Sequence, residues 1–163
     1  MTRPIHTILV PLDMTERVEA IVEWAIGWSL MTHARLVLLH VVAPINNYTT
    51  RSYPDPEQHY GVACDAARER LLPLAQLARA KGIETSICVE VGPPTEEILA
   101  MASVTNTGLI IVGTHGRKGL AHVILGSIAE KVVQMAECPV FVVKESYTPS
   151  AHEEMIEAES EAV

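Results

Sequence analysis

Apolar and polar positions along the chain fall into short blocks of two periods. Ile5-His6-Thr7-Ile8-Leu9-Val10-Pro11-Leu12 is an apolar run that stops at Asp13, the length and boundary of a buried strand. From Glu16 to Thr32 the period changes. Val18, Ile21, Val22, Ala25 and Ser29 recur at helical spacing, with Glu16, Glu19 and Glu23 on the other side. Arg35 to Val42 is apolar on both faces, as expected for a strand in a sheet covered by helices on each side. Pro44 to Tyr60 interrupts the pattern with Asn46-Asn47, Pro54, Pro56 and three tyrosines, and reads as a long polar loop. Asp65 to Lys81 is helical again, with Leu71, Leu72, Leu74, Leu77 and Ala78 as its apolar stripe. Pro73 is expected to bend this helix, and Gly82 is placed to cap it.

The second half repeats the alternation. Ile83 to Val91 alternates weakly and suits a third strand near the sheet edge. Gly92-Pro93-Pro94-Thr95 turns the chain, and Thr95 is a candidate cap for a helix reaching about Val104. Gly108 to Val112 is wholly apolar and therefore central. A glycine-bearing loop, a helix from about Ser127 to Ala136 and a fifth strand, Pro139 to Val143, follow. Strands alternating with helices predict an α/β fold with a parallel sheet and right-handed crossovers. Val140 to Val143 would lie at the sheet edge, blunted only by Lys144. An apolar edge of this kind invites covering, and the expected partner is a second copy pairing across a two-fold axis.

Composition narrows the class. The 163 residues, 48% hydrophobic and 20% charged, fit one globular domain over 1–144 followed by an acidic tail over 145–163. Cys64, Cys88 and Cys138 are too few and too scattered for a disulfide framework or a metal knuckle. They read as small buried residues in a reducing compartment, which makes the expected location cytoplasmic. The amino terminus has no signal-peptide pattern, and no run approaches the roughly 20 apolar residues of a membrane span. A net charge of −8 argues against nucleic acid or an anionic membrane as partner. Six glutamates and no Lys or Arg follow Lys144. An anionic small ligand would therefore depend on local dipoles and a few placed cations.

The sequence does carry such a place. In Gly113-x-x-Gly116-x9-Gly126-Ser127, the first glycine falls at the carboxyl end of the fourth strand, where open α/β sheets bind ligands. Glycines allow the close backbone approach that a phosphate needs. Gly126 and Ser127 then open a helix whose free N–H groups and positive dipole end face the same space. Arg117 and Lys118, beside Gly119, supply candidate cations. The plainer reading is a strand-to-helix turn in which the glycines serve only as turn and cap residues.

Other residues divide similarly. Asp13 suits a ribose hydroxyl or a nucleotide-bound Mg or Mn ion, and equally a helix cap paired with Glu16. His40, inside an apolar strand, reads as a hydrogen-bonded core residue rather than a base. Trp24, Trp28 and Met31 read as packing. His115 and His122 lack a third ligand nearby for a metal site. Tyr48, Arg51, Tyr53 and Tyr60 belong to the long loop and are read as surface.

The glycine pattern resembles the ATP-binding signature of the universal stress protein family. Ile8-Leu9-Val10-Pro11-Leu12-Asp13, Leu38-Leu39-His40-Val41, Ser127-Ile128-Ala129-Glu130-Lys131-Val132-Val133 and Cys138-Pro139-Val140 are similar to that family too. The resemblance spans about residues 5–144. It implies a three-layer, Rossmann-like sandwich around an open five-stranded parallel sheet of order 3-2-1-4-5, as in the adenine nucleotide alpha hydrolase-like fold. It further implies a dimeric stress-response protein that holds ATP or AMP. Pro11, Leu12 and Asp13 would border the ribose and phosphates, and Val41 would line the adenine pocket. Gly113, Gly116, Gly126, Ser127 and Ile128 would hold the phosphates, with Val112 and Arg117 completing the set. Ala129 stands where some ATP-binding members carry a threonine.

Catalysis is less well supplied. No Gly-x4-Gly-Lys-[Ser/Thr] loop or His-x-Gly-His pair is present, and no base is placed beside a nucleophile. Slow ATP hydrolysis is compatible with such a site; the expected role is sensor or regulator. The rival within the family is a dimeric scaffold without a ligand. A receiver-like domain would need an acidic cluster and a flavodoxin-like carrier a phosphate loop after the first strand, and neither pattern occurs.

Overall fold

The computed structural model describes residues 4–14, 18–44, 56–114 and 125–144. Five strands and four helices alternate: β1 (Thr7–Pro11), α1 (Val18–Thr32), β2 (Arg35–Val42), α2 (Pro56–Arg79), β3 (Thr85–Val91), α3 (Pro94–Val104), β4 (Leu109–Gly113), α4 (Ser127–Met135) and β5 (Val140–Val143). All strand pairs are parallel and the order is β3-β2-β1-β4-β5. The register runs Thr7↔Arg35 and Ile8↔Leu36 between β1 and β2. It runs Ile8↔Leu109 between β1 and β4, and Gly113↔Val143 at the last pair. This is the expected doubly covered sheet, with the expected strand order.

Period-two alternation sorts the sheet side chains onto two cores. Ile8, Val10, Leu36 and Leu38 pack with Ile21, Val22 and Ala25 of α1 and Leu71, Leu74, Ala75 and Ala78 of α2. Leu9, Val37, Leu39, Ile110 and Val112 pack on the other face with Ile98 of α3 and Ala129 and Val132 of α4. Burial on both faces explains why β1, β2 and β4 carry almost uninterrupted apolar sequence.

Several expected elements shift. α2 starts at Pro56, so residues 56–60 belong to a helix rather than to the end of a loop. A proline in the first turn loses nothing, because its missing N–H would have had no intrahelical partner. Leu72 and Leu77 are 43% and 42% exposed. They leave the stripe because the inward positions 71, 74, 75 and 78 already occupy one face at spacings of three and four. α2 is continuous through Pro73, whose exposed ring sits on the solvent side. It ends near Gly82, which takes φ +79 and donates its N–H to the Arg79 carbonyl at 2.9 Å.

Thr95 does not cap α3. The N-cap is Pro93, with no side-chain cap bond, since the two prolines fix the entering backbone and need no N–H acceptors of their own. β3 and β5 each begin later than their apolar runs, and β4 is shifted by one residue to include Gly113. Trp24 and Trp28 pack as expected, meeting Phe141 with ring centroids 5.5 and 5.7 Å away. Met31 does not; it is 68% exposed, because position 31 lies away from the face that buries Ile21, Ala25 and Ser29. Cys64 is buried, while Cys88 and Cys138 are only half-buried.

Candidate functional site

The carboxyl ends of β1, β2 and β4 lie side by side and open into a cleft of about 770 Å³, part of it solvent at the mouth. Its floor comes from both sides of the sheet's end. Pro11, Leu12 and Asp13 leave β1, Leu39, His40 and Val41 end β2, and Val112, Gly113 and Thr114 end β4. Ile21 of α1 enters from one side. Pro94 and Ile98 of α3 and Ile128 and Ala129 of α4 enter from the other.

Eight residues singled out from sequence thus share one cavity: Pro11, Leu12, Asp13, Val41, Val112, Gly113, Ile128 and Ala129. Gly126 is the N-cap of α4 and Ser127 its first residue, beside Ile128 but not in the cavity wall. Gly116 and Arg117 lie outside the described residues, as do His115, Lys118, Gly119 and His122. The same holds for Glu16, Tyr48, Arg51 and Tyr53, and for residues 145–163. Tyr60 lies on α2, with its ring 6.1 Å from that of His59.

Sequence reasoning missed Ile21, Leu39, Pro94, Ile98 and Thr114, and read His40 as core. His40 is hydrogen-bonded as expected, with Nδ1 2.7 Å from the Leu12 carbonyl oxygen. It also borders the cleft. Pro94 and Ile98 had one available signal: with the third strand at the edge, the helix leading from it to the fourth must cross back over the sheet.

The β1–α1 corner is held closely. The Leu12 N–H donates to the Leu39 carbonyl at 2.8 Å, carrying the ladder past Pro11, which has no N–H to give. Met14 takes φ +61, and the Arg70 guanidinium donates to its carbonyl at 2.6 Å. At the β4 exit, the Thr114 N–H donates to the Val143 carbonyl at 2.9 Å. Gly113 has a packing reason of its own. A Cβ there would lie 2.6 Å from Ile21 Cδ1.

The chemistry on offer is that of binding. The wall is mostly aliphatic, and its titratable members among the described residues are Asp13 and His40. The first N–H groups of α4 have no intrahelical acceptor by helix geometry and no side-chain cap. With the positive end of the helix dipole, they suit an anion. No three His, Cys, Asp or Glu side chains cluster as metal ligands among the described residues. The thiols of Cys88 and Cys138 are outside the cleft wall. Burial pushes the Cys88 thiol up, helped by Glu90. Burial likewise raises that of Cys138, opposed by backbone hydrogen bonds and aided by Glu137. Neither is poised as a thiolate nucleophile.

Fold and cleft together define an open parallel α/β protein with its site across the strand ends. The sequence model of the universal stress protein family matches residues 4–144, and the chain belongs to that family. It is similar to universal stress protein Sll1388 of Synechocystis sp., 28% identical over 149 residues, which span 84% of this chain and 96% of that one. Universal stress protein MJ0577 of Methanocaldococcus jannaschii is 26% identical over 155 residues, 84% of this chain and 93% of that protein. Its solved structure matches with a TM-score of 0.77 at 24% identity, covering 90% of this chain and 100% of that one. A universal stress protein from Archaeoglobus fulgidus, solved in complex with dAMP, matches with a TM-score of 0.63 at 20% identity, covering 87% and 100%. No helix among the described residues is long and apolar enough to cross a membrane.

Proposed function

We propose that this universal stress protein binds an adenine nucleotide, ATP or AMP, in the strand-end cleft and acts as a dimeric cytoplasmic sensor or regulator. The observation that carries the reading is convergence. Gly113 of the phosphate-type glycine pattern and the β1 and β2 residues that the family resemblance implies, Pro11, Leu12, Asp13 and Val41, line one cavity, and Gly126 and Ser127 form the helix N-terminus beside it. The wall fits the ligand's chemistry. Val41, Leu39 and Ile98 offer aliphatic faces to a flat base, Asp13 offers a carboxylate to ribose hydroxyls, and the start of α4 offers N–H donors to phosphate. A Mg or Mn ion carried by the nucleotide would meet Asp13. Arg117 and Gly116 of the sequence motif would complete the phosphate contacts. That a related fold was solved with dAMP is support by kinship. The dimer rests on β5, an edge strand whose Val140, Phe141 and Val142 are only half-buried.

The test is titration of the purified protein with ATP and AMP, with mass spectrometry of whatever co-purifies. Binding is expected for wild type and its loss for Gly126→Val. If wild type binds neither nucleotide, and Gly116→Val and Gly126→Val change nothing, the reading fails. Turnover of ATP faster than about 1 s⁻¹ would instead make the protein an enzyme. Size exclusion at the mass of one 17.8 kDa chain would remove the dimer. One observation favours a second reading, a scaffold of the same fold without a ligand: the space freed at Gly113 is taken by Ile21.

A further inference from the structure

Asp13 sits between two residues whose carbonyls are each tied to a different element. The Leu12 carbonyl oxygen lies 2.7 Å from His40 Nδ1 on β2. A carbonyl only accepts, so Nδ1 must carry a proton there and donate it. The Met14 carbonyl accepts from the Arg70 guanidinium on α2 at 2.6 Å. Met14 itself is held at φ +61, a left-handed conformation that a residue with a Cβ adopts only when its surroundings enforce it. Neither partner belongs to the glycine motif, and both act on backbone atoms flanking Asp13, the one carboxylate of the wall among the described residues.

We propose that His40 and Arg70 are positioning residues that clamp the Leu12–Met14 corner and so aim the Asp13 carboxylate at the sugar of a bound nucleoside. The inference rests on the nucleotide reading above. Without the two bonds the corner relaxes toward ordinary right-handed or extended backbone, and Asp13 swings away while the aliphatic wall for the base remains. The two clamps differ in strength. His40 is half-buried, so its bond is less exposed to competition from water, whereas Arg70 is exposed.

Two measurements test this. In the ligand-free protein, ¹⁵N shifts of the His40 ring report where its proton sits. A proton on Nδ1 is expected, and a neutral ring protonated only at Nε2 would overturn the clamp whatever the ligand. Binding is then compared for AMP and for free adenine, which lacks the sugar. His40→Leu should weaken AMP about tenfold and Arg70→Met two- to threefold, with adenine changed less than twofold in both. His40→Asn, whose amide N–H can stand where Nδ1–H stood, should recover most of the AMP affinity. In an Asp13→Ala background neither substitution should weaken AMP further. Equal loss of AMP and adenine would mean that His40 touches the base or merely supports the fold, and would overturn the proposal. Unchanged AMP binding by His40→Leu overturns it alone. Wild type that binds neither ligand overturns the nucleotide reading and this proposal with it.

Discussion

At position 113 a single missing carbon is shared between two demands. A Cβ there would meet Ile21 Cδ1 at 2.6 Å, and at Gly108 it would meet the Ile5 Cα at 2.9 Å. The obstacles differ in kind. The Ile21 methyl is the far end of a side chain and can rotate away, whereas the Ile5 Cα is backbone in a strand-entry segment. Overpacking of this sort costs about 1–3 kcal/mol, so Gly113→Ala should fall near the low end and Gly108→Ala near the high end in urea denaturation. Ile21→Val deletes the clashing methyl and costs about 0.5–1.5 kcal/mol in wild type. In a Gly113→Ala background it should cost clearly less, because it removes the strain the alanine created. Strictly additive penalties would show that Ile21 is not what Gly113 accommodates. The sequence marked this glycine out as a candidate phosphate contact. Its packing partner was not legible there, because Ile21 is joined to it only through the fold.

Among the elements, α2 shows best where sequence reading succeeds and where it fails. Leu71, Leu74, Ala75 and Ala78 are buried at the three-and-four spacing of one helix face; the stripe read from the sequence contains Leu71, Leu74 and Ala78 of that face but passes over Ala75 and adds the exposed Leu72 and Leu77. Its start was missed because Pro54, Pro56 and Tyr60 suggested a loop, although a proline followed by Glu57 is also the signature of a first helical turn. β2 was legible residue for residue, since burial on both faces leaves Arg35 and Val42 as sharp boundaries. The cleft was partly legible. Gly113 follows from the motif and its strand-end position, and Pro11, Leu12 and Val41 from the family resemblance, but Pro94 and Ile98 enter only because α3 crosses from the edge strand β3 back over β2 to reach β4. Pro73 offers a test on α2. It withholds an N–H from the Glu69 carbonyl in a helix that nonetheless continues, and it is exposed. Pro→Ala in a helix interior is worth about 3 kcal/mol, offset by about 0.4–1 kcal/mol of unfolded-chain entropy. Pro73→Ala should therefore stabilise by about 2 kcal/mol, raising the melting temperature by roughly 4–8 °C. No rise in calorimetry would mean that the helix has adapted to its proline through contacts that alanine cannot keep.

At the scale of the whole molecule, charge opposes the ligand proposed for the cleft. The chain carries −8 net, six glutamates of which follow Lys144, and an adenine nucleotide approaching it is itself anionic. Distant charges act through a screening length of about 30 Å at 0.01 M salt and about 8 Å at 0.15 M. The N–H groups at the start of α4 act only at contact and are screened little. Approach and retention should therefore respond to salt differently. Stopped-flow mixing with a fluorescent AMP analogue should show an association rate that rises about twofold or more between those salt concentrations, while the dissociation rate changes little. Deleting residues 145–163 relieves six of the eight net negative charges and should flatten the rise. An association rate that falls with salt would put local cations, Arg117 and Lys118, in control of approach. The overall charge would then be irrelevant to how the nucleotide arrives.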